Sequence, residues 1–146
     1  MLRLRAARER CQVTVGRLLE VPVFRDERGL VGVVEGPDAL PFPVRRLYFL
    51  ADVPGGSVRG EHAHRELQQL IIAMSGSVMV HLDDGTDRQD FILDAPSRGL
   101  LVPPGCWREL RDFAPGTVVA VLASHEYDEA DYIRDHGEFM RWIHER

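Results

Sequence analysis

Two histidines, His62 and His64, stand one residue apart in the segment RGEHAHRELQQLIIAMSG, just ahead of a long apolar run. If this segment forms a strand, residues two apart point to the same face, so both imidazoles project together. Imidazoles paired in this way either bind a metal ion or transfer protons near neutral pH. A single inward histidine is more often a hydrogen-bonded core residue, so it is the pairing that indicates a functional site.

The spacing of the pair resembles the first motif of the cupins, in which two histidines and a glutamate bind a metal. The segment 99–107 is similar to the second cupin motif, which ends in a third histidine. This resemblance puts Gln69 where cupins have the glutamate, and Arg108 where they have the third histidine. A guanidinium keeps its proton and repels a dication, whereas a metal site needs neutral imidazoles and a carboxylate. We therefore expect no metal and no metal-dependent oxygenase.

Without a metal, two imidazoles beside arginines suit the enolisation of a ketone. A base removes the proton next to the carbonyl, a donor stabilises the enolate oxygen, and the proton returns elsewhere. Arginines also bind a diphosphate through paired hydrogen bonds. All 18 cationic residues are arginine, which excludes enzymes that need a Schiff-base lysine or the lysine of a P-loop.

The elements that must position these residues follow the pattern of an all-β protein. Short β-type segments recur about every ten residues between glycine, proline and aspartate turns. The predicted strands are 13–15, 29–34, 45–52, 60–64, 68–75, 76–82, 88–93, 99–102, 108–113 and 117–124. Asp84-Gly85 is the strongest hairpin signal. Beyond residue 126 the period becomes helical, and Gly137 predicts a break that leaves two short helices.

This pattern predicts an antiparallel jelly-roll β-sandwich with short C-terminal helices, formed by residues 13–146 as one cupin-like domain. Residues 1–12 show neither period and are expected to be a frayed or partner-dependent arm. The 146 residues carry a net charge of −5 and are 45% apolar, which is typical of a soluble protein. Arginines interspersed with acids do not favour nucleic acid. No apolar run predicts a membrane span or secretion signal, so we expect a cytoplasmic protein.

A narrower resemblance covers most of the chain, from about residue 26 to residue 143. The sequence is similar to the nucleotide-sugar 3,4-ketoisomerases, or WxcM-like proteins, which interconvert the 4-keto and 3-keto forms of a dTDP-6-deoxyhexose. The blocks that carry it are DERG at 26–29, PFP at 41–43, RRLY at 45–48, RGEHAH at 59–64, DDG at 83–85, WREL at 107–110, LAS at 122–124 and YDEADYIR at 127–134. Several such blocks in order are more specific than the histidine pair alone.

The resemblance implies roles for individual residues. His62 and His64 become the acid–base groups, and Tyr48 and Arg59 fall in the sugar and phosphate site. His64 is favoured as the base that takes the proton from carbon 3 of a dTDP-4-keto-6-deoxyhexose. A proton then goes to carbon 4, with Tyr48 or His62 relaying the hydroxyl hydrogens. Arg59 and Arg108 would stabilise the enediolate or the diphosphate, and no cofactor is needed because the oxidation moves within the substrate.

Three further residues are predicted to contact the substrate. Arg46 shares a strand face with the tyrosine, whereas Arg45 points to the other face. Trp107 either packs beside the Pro-Pro-Gly turn or stacks on the thymine or sugar. Gln69 either binds the substrate or fixes the tautomer of a histidine. The acids at 128–131 are interpreted as a solvated helix start and not as a catalytic carboxylate pair.

Two alternatives remain open at the level of sequence. A nucleotide-sugar 3,5-epimerase uses a histidine base with a tyrosine acid on the opposite face of the ring, whereas a same-face pair favours ketone migration between neighbouring carbons. A non-catalytic cupin that binds nucleotide sugars would keep the arginines without needing both histidines. The resemblance also implies a homodimer, and its N-terminal strands are candidates for exchange between the two copies.

Overall fold

The computed structural model describes residues 15–146, so the arm predicted at 1–12 lies outside the described residues. The described chain forms twelve strands, one 3₁₀ turn and one α-helix. The strands are β1 (Arg17–Glu20), β2 (Val23–Asp26), β3 (Gly29–Gly32), β4 (Arg46–Leu50), β5 (Arg59–His64), β6 (Gln69–Ser75), β7 (Val78–Asp83), β8 (Arg88–Leu93), β9 (Arg98–Val102), β10 (Trp107–Arg111), β11 (Val118–Ala123) and β12 (Tyr132–Ile133).

Ten of these strands form two five-stranded sheets, and all observed pairings are antiparallel. The first sheet has the order β1-β9-β6-β11-β4, and the second has the order β12-β5-β10-β7-β8. Strands β2 and β3 form a separate hairpin. The predicted jelly-roll β-sandwich is therefore confirmed, and the predicted Asp84-Gly85 hairpin joins β7 to β8.

The main core lies between the two sheets, because alternate residues of each strand point inward. Its members are mostly aliphatic and fully buried: Ile71, Ala73, Val78, Val80, Leu82, Leu93, Leu100, Leu110, Val119 and Val121. Each large aliphatic side chain buried in this way stabilises the fold by about 1.5–3 kcal/mol. A second cluster covers part of the outer face of the first sheet, where Leu40 and Phe42 pack against Leu70 and Ile72.

The start of the described chain differs from the prediction. The strand expected at 13–15 falls mostly outside the described residues, and the first observed strand begins later, at Arg17. Gly16 precedes it and lies so close to the side chain of Leu82 that an added Cβ would be 2.6 Å from Leu82 Cδ1. The strand predicted at 29–34 is the second arm of a hairpin, and its partner β2 was not predicted.

The C-terminal segment also differs from the prediction of two helices broken at Gly137. A 3₁₀ turn, Glu129–Asp131, runs directly into β12, and the single helix α1 spans His136–His144. Asp135 caps α1 by accepting a hydrogen bond from the Glu138 N–H at 2.8 Å, so Gly137 lies inside the first helical turn. None of the helices in residues 15–146 is long and apolar enough to cross a membrane.

Candidate active site

A cavity of about 470 Å³ opens between the two sheets, at the end where β4 faces β5 and β10. Its wall carries Arg46, Tyr48, Leu50, Val58, Arg59, Gly60, Glu61, His62, Arg108, Leu110, Tyr132 and Arg134. Four of these residues are arginines and one is an acid. A concave site with this balance favours an anionic ligand.

Arg108 occupies the centre of the polar wall and fixes His62. Arg108 lies on β10, directly opposite His62 on β5. Its Nη2 and Nε donate to His62 Nε2 at 3.0 and 3.3 Å. Nε2 of His62 must therefore be the acceptor nitrogen, and the ring proton resides on Nδ1. Burial and, next, the charge of Arg108 lower the pKa of His62 to about 2. His62 is thus a neutral imidazole whose Nε2 lone pair already accepts hydrogen bonds from Arg108.

Tyr48 reaches the same network from the opposite sheet. Its hydroxyl oxygen accepts from Arg108 Nη2 at 2.8 Å and from Gln69 Nε2 at 3.2 Å. A phenolic oxygen that accepts two hydrogen bonds still has its own hydrogen to donate. Because Tyr48 lines the cavity, this hydrogen is available to a ligand oxygen there.

His64 has a different partner from His62, although the two rings are neighbours with centroids 4.8 Å apart. Its Nδ1 lies 3.0 Å from Oδ2 of Asp131. Among the described residues, its buried Nε2 has no hydrogen-bond partner. Burial and Arg108 lower the pKa of His64 to about 4, while Asp131 opposes them. His64 is therefore neutral at physiological pH and keeps an acceptor nitrogen free.

Of the two histidines, His62 is the one that lines the cavity. Tyr132, which pairs with His64 across β12 and β5, also lines the cavity. Its ring packs against both imidazoles, with centroids 4.9 Å from His62 and 4.4 Å from His64. Tyr132 therefore links the cavity wall to both histidines.

A bulge in β5 determines how Arg59 is placed. Arg108 pairs with His62 and Leu110 pairs with Arg59, so two residues of β5 oppose the single residue Glu109 of β10. Gly60 adopts a φ of +68° within this bulge, a conformation that favours glycine. Arg59 would point away from His62's face in a regular strand, but the bulge brings it to the cavity side, opposite the buried Leu110.

The structure brings together most of the residues predicted for the site. Arg46 and Tyr48 do share a face, with the Arg46 guanidinium 5.3 Å from the centre of the Tyr48 ring. Gln69 is fully buried and contacts neither histidine through a hydrogen bond. It holds the Tyr48 hydroxyl instead, because its strand β6 lies in the same sheet as β4.

Trp107 does not belong to the cavity wall, contrary to the predicted contact with the substrate. Adjacent strand residues point to opposite faces, and Arg108 takes the inward one. Trp107 faces outward, packs against Phe139 of α1, and donates its indole N–H to Glu109 at 3.1 Å. This strand parity was available in the sequence and would have excluded Trp107.

Asp131 is one of the site residues that the sequence interpretation missed, together with Tyr132 and Arg134 of the cavity wall. The acids at 128–131 were expected to form a solvated helix start, and Asp128 does cap the 3₁₀ turn while Glu129 pairs with Arg134. Asp131 instead reaches His64, with 14% of its side chain exposed. The sequence around these three acids does not indicate which of them faces a histidine. The pairing of β12 with β5 is what brings Asp131 to His64.

These residues do not fit a divalent metal. Cupin metals are bound by imidazole nitrogens, yet the Nε2 of His62 accepts hydrogen bonds from a permanent cation. Arg108 would repel a second cation at this point. Residues 15–146 contain no group of three or more histidine, cysteine or acidic side chains arranged to hold a metal ion.

The chain matches a family profile described as "FdtA: WxcM-like, C-terminal" over residues 14–144. Among curated proteins, it is 42% identical over 118 residues to the TDP-4-oxo-6-deoxy-alpha-D-glucose-3,4-oxoisomerase of Aneurinibacillus thermoaerophilus. That alignment covers 81% of this chain and 85% of the relative.

Solved structures of sugar 3,4-ketoisomerases superpose closely on the fold. QdtA from Thermoanaerobacterium thermosaccharolyticum, solved in complex with TDP, gives a TM-score of 0.87 at 34% identity, covering 92% of this chain and 98% of QdtA. A mutant of QdtA was solved in complex with TDP-4-keto-6-deoxyglucose. A 3,4-ketoisomerase from Helicobacter canadensis gives a TM-score of 0.85 at 38% identity, covering 88% and 97% of the two chains.

Proposed function

The chain belongs to the FdtA, WxcM-like C-terminal family, and we propose that it is an isomerase that moves the keto group of TDP-4-keto-6-deoxyglucose from carbon 4 to carbon 3. The observation that carries this proposal is the unequal pair of imidazoles. His62 is held by Arg108, whereas His64 keeps a free acceptor nitrogen. To shift a ketone to the neighbouring carbon, an enzyme needs a base that removes a proton and a donor for the carbonyl oxygen, and His64 and Tyr48 supply these two groups.

The arginines supply the binding of the nucleotide diphosphate. Arg46, Arg59 and Arg134 line the same cavity as His62. Guanidinium groups bind phosphate oxygens through two parallel hydrogen bonds, which fixes orientation as well as charge. Anchored in this way, the sugar ring brings carbons 3 and 4 toward the histidine pair, whose rings both contact Tyr132 of the cavity wall.

His64 then acts as the base at carbon 3. Its Nε2 takes the carbon-3 proton, the electrons of that C–H bond form the double bond between carbons 3 and 4, and the carbon-4 oxygen takes the Tyr48 proton. The resulting enediol is neutral. Arg108 and Gln69, which both donate to the Tyr48 oxygen, stabilise the transient phenolate. This is electrostatic stabilisation by donors that are already in position.

The second half of the reaction restores both groups. The carbon-3 hydroxyl returns a proton to Tyr48 as carbon 3 becomes the ketone, and the double-bond electrons take the proton from His64 at carbon 4. One C–H bond breaks and one forms, so the oxidation moves within the sugar. No residue of the site has to accept a hydride, which is why the proposal includes no cofactor.

A direct test incubates the protein with TDP-4-keto-6-deoxyglucose in D₂O and follows it by proton NMR. A 3-keto product supports the isomerase, and it carries deuterium at carbon 4 to the extent that His64 exchanges its proton with solvent before delivering it. Deuterium at carbons 3 and 5 with an inverted ring would identify a 3,5-epimerase, and binding without exchange would identify a sugar-binding protein. Either of those results contradicts the proposal.

The assignment of the base is tested by the two matched variants His64→Asn and His62→Asn. Positioned proton transfer contributes about 10²–10⁴ in rate, so His64→Asn should lose at least about 10³-fold in kcat and all exchange at carbon 3. His62→Asn should lose less, because His62 takes no proton. If His62→Asn is inactive while His64→Asn still turns over, the roles are reversed.

The proposed active form is a homodimer. Leu47 and Phe49 on the outer face of β4 are 61% and 66% exposed, and Phe24 and Val31 on the β2–β3 hairpin are 66% and 62% exposed. Large apolar patches of this kind mark interfaces. A two-fold dimer in which the hairpin of one copy covers the β4 face of the other would bury both groups of apolar side chains.

Sedimentation analysis tests the dimer with one variant and one control. Phe49→Glu should give monomers, whereas Ile92→Glu, which changes a residue 57% exposed on the other sheet, should remain dimeric. A monomeric unmodified protein would contradict the proposal. The cytoplasm stays a prediction, which fractionation of cells expressing the protein would check.

A further inference from the structure

Arg134 is the arginine of the cavity wall that an acid side chain binds within residues 15–146. Its Nε donates to Glu129 Oε1 at 2.8 Å, and its Nη2 donates to Glu129 Oε2 at 2.9 Å. Two such bonds side by side fix the plane of a guanidinium as well as its position. A guanidinium carries five N–H groups in that plane. Nη1 and the second hydrogen of Nη2 are therefore left at the end of the side chain, as a pair of donors for a ligand.

Two tyrosines complete the support of this ion pair. The Tyr127 hydroxyl donates to Glu129 Oε2, and the Arg134 guanidinium lies over the Tyr132 ring, 4.3 Å from its centre. Hydrogen bonds from Arg134 and then from Tyr127 lower the pKa of Glu129 to about 2, so the carboxylate is charged at physiological pH. The guanidinium is thus held along one edge by a carboxylate and on one face by an aromatic ring.

The ion pair itself adds little to the stability of the fold, because 52% of the Arg134 side chain and 59% of the Glu129 side chain are exposed. Its effect on a ligand has a different cause. A free arginine side chain loses rotamer freedom when it binds phosphate, and this loss weakens binding. Glu129 restricts Arg134 before any ligand arrives. The carboxylate also offsets part of the arginine's charge, so its two effects on an anion oppose each other.

We infer that Glu129 is a positioning residue that orients Arg134 to bind the diphosphate of the ligand, and that this orienting effect outweighs the repulsion between carboxylate and phosphate. The carboxylate occupies the Nε edge of the guanidinium, whereas the phosphates take the terminal donors, so the ligand does not have to displace Glu129. Three other arginines keep the cavity cationic. The inference rests on the proposed function only in that the ligand carries a diphosphate.

The experiment measures the Kd of TDP by isothermal titration calorimetry, without any turnover, in single and double variants. Arg134→Gln removes paired hydrogen bonds to a charged group and should weaken TDP binding at least about 10-fold. Glu129→Gln releases the arginine and should weaken it about 3- to 10-fold, although this change removes a negative charge. The double variant should bind TDP no more weakly than Arg134→Gln, because Glu129 then has no arginine to orient.

Glu138→Gln is the matched control. Glu138 pairs with Arg65 at 3.6 Å, is 52% exposed, and is not part of the cavity wall. Its substitution breaks a surface ion pair of the same kind and should leave the Kd of TDP unchanged. Steady-state kinetics give a second readout, in which Glu129→Gln should raise KM by a larger factor than it lowers kcat. A merely structural role of Glu129 would lower kcat and KM together with thermal stability.

Tighter or unchanged binding of TDP by Glu129→Gln would overturn the inference, because the carboxylate would then repel the phosphates or have no effect on them. Unchanged binding by Arg134→Gln would overturn it as well. So would a further loss when Glu129→Gln is added to Arg134→Gln, since Glu129 would then be acting through the fold of its turn. The expected pattern of Kd values in a protein that never isomerises the sugar would overturn the proposed function alone.

Discussion

Acidification should destabilise this fold through its two buried imidazoles. The pKa of each is lower in the folded protein than in the unfolded chain, where it is near 6.5. As the pH drops below 6.5, these two histidines therefore bind protons in the unfolded chain but not in the folded protein. The stability that neutral His62 and His64 allow is complete above that pH and is lost as the pH falls toward their folded values of about 2 and about 4.

The magnitude follows from the size of these shifts. One pKa unit corresponds to about 1.36 kcal/mol. A pH of 5 lies about 1.5 units below the pKa of a histidine in the unfolded chain and above both folded pKa values. Each histidine therefore lowers the free energy of unfolding at pH 5 by about 2 kcal/mol. Together they should lower the free energy of unfolding by about 4 kcal/mol between pH 8 and pH 5. A domain with a total of about 5–15 kcal/mol would lose a large share of its stability.

The assay is urea denaturation at pH 8 and pH 5, followed by tryptophan fluorescence and analysed by linear extrapolation. Protein concentration is held constant, because a dimer's stability depends on it. His62→Asn and His64→Asn are measured in parallel, singly and together. Carboxylates away from the histidine pair contribute equally in all four proteins and cancel in the comparison. Asp131 contacts His64, so its contribution cancels only between proteins that share the same residue at position 64. Each substitution should reduce the pH-dependent difference by about 2 kcal/mol, whatever its effect on stability at pH 8.

The reasoning would be refuted by a double variant that loses as much stability between pH 8 and pH 5 as the unmodified protein does. Such a result would mean that the imidazoles already accept protons in the folded state. The same finding would remove the basis for treating burial and the charge of Arg108 as the causes that keep His62 neutral.

Three further predictions concern the rest of the site and the fold. Tyr48→Phe should lower kcat about 100-fold with KM nearly unchanged in steady-state assays; a rise in KM alone would show that the hydroxyl only binds. Gly76→Ala should cost at least about 3 kcal/mol in thermal unfolding, because φ is +71° and the new Cβ would lie 2.7 Å from Thr117 Cα. Gly116→Ala, at φ +76° but in open space, should cost only about 1 kcal/mol, and equal losses would contradict the packing argument. Treatment with EDTA should leave turnover intact, with less than one metal ion per chain in elemental analysis; activity that zinc or iron restores would contradict this expectation.

The parts of the site that lie on regular strands could be predicted from the sequence. His62 and His64 share a face because strands have a period of two, and Arg46 and Tyr48 share one for the same reason. The same parity rule, applied to β10, would have excluded Trp107 once Arg108 was placed inward. That error came from taking the residues one at a time.

The remaining parts depend on geometry that a single sequence does not display. Arg59 reaches the cavity only because the bulge at Gly60 shifts the alternation by one residue, and a glycine before a strand does not by itself announce a bulge. Asp131 reaches His64 only because a two-residue strand pairs with the edge of β5. Such a strand is too short to show any period, and its position is decided by packing between distant segments.

The fastening of Asp131 to the end of β5 also has a consequence for how the protein matures during synthesis. His64 and Arg108 leave the ribosome well before the turn that carries Asp131. Until that turn docks against β5, the His64 imidazole can carry its ring proton on either nitrogen. The surroundings of His64 are therefore complete only once β12 has paired with β5, a contact between residues that are 67 positions apart in sequence.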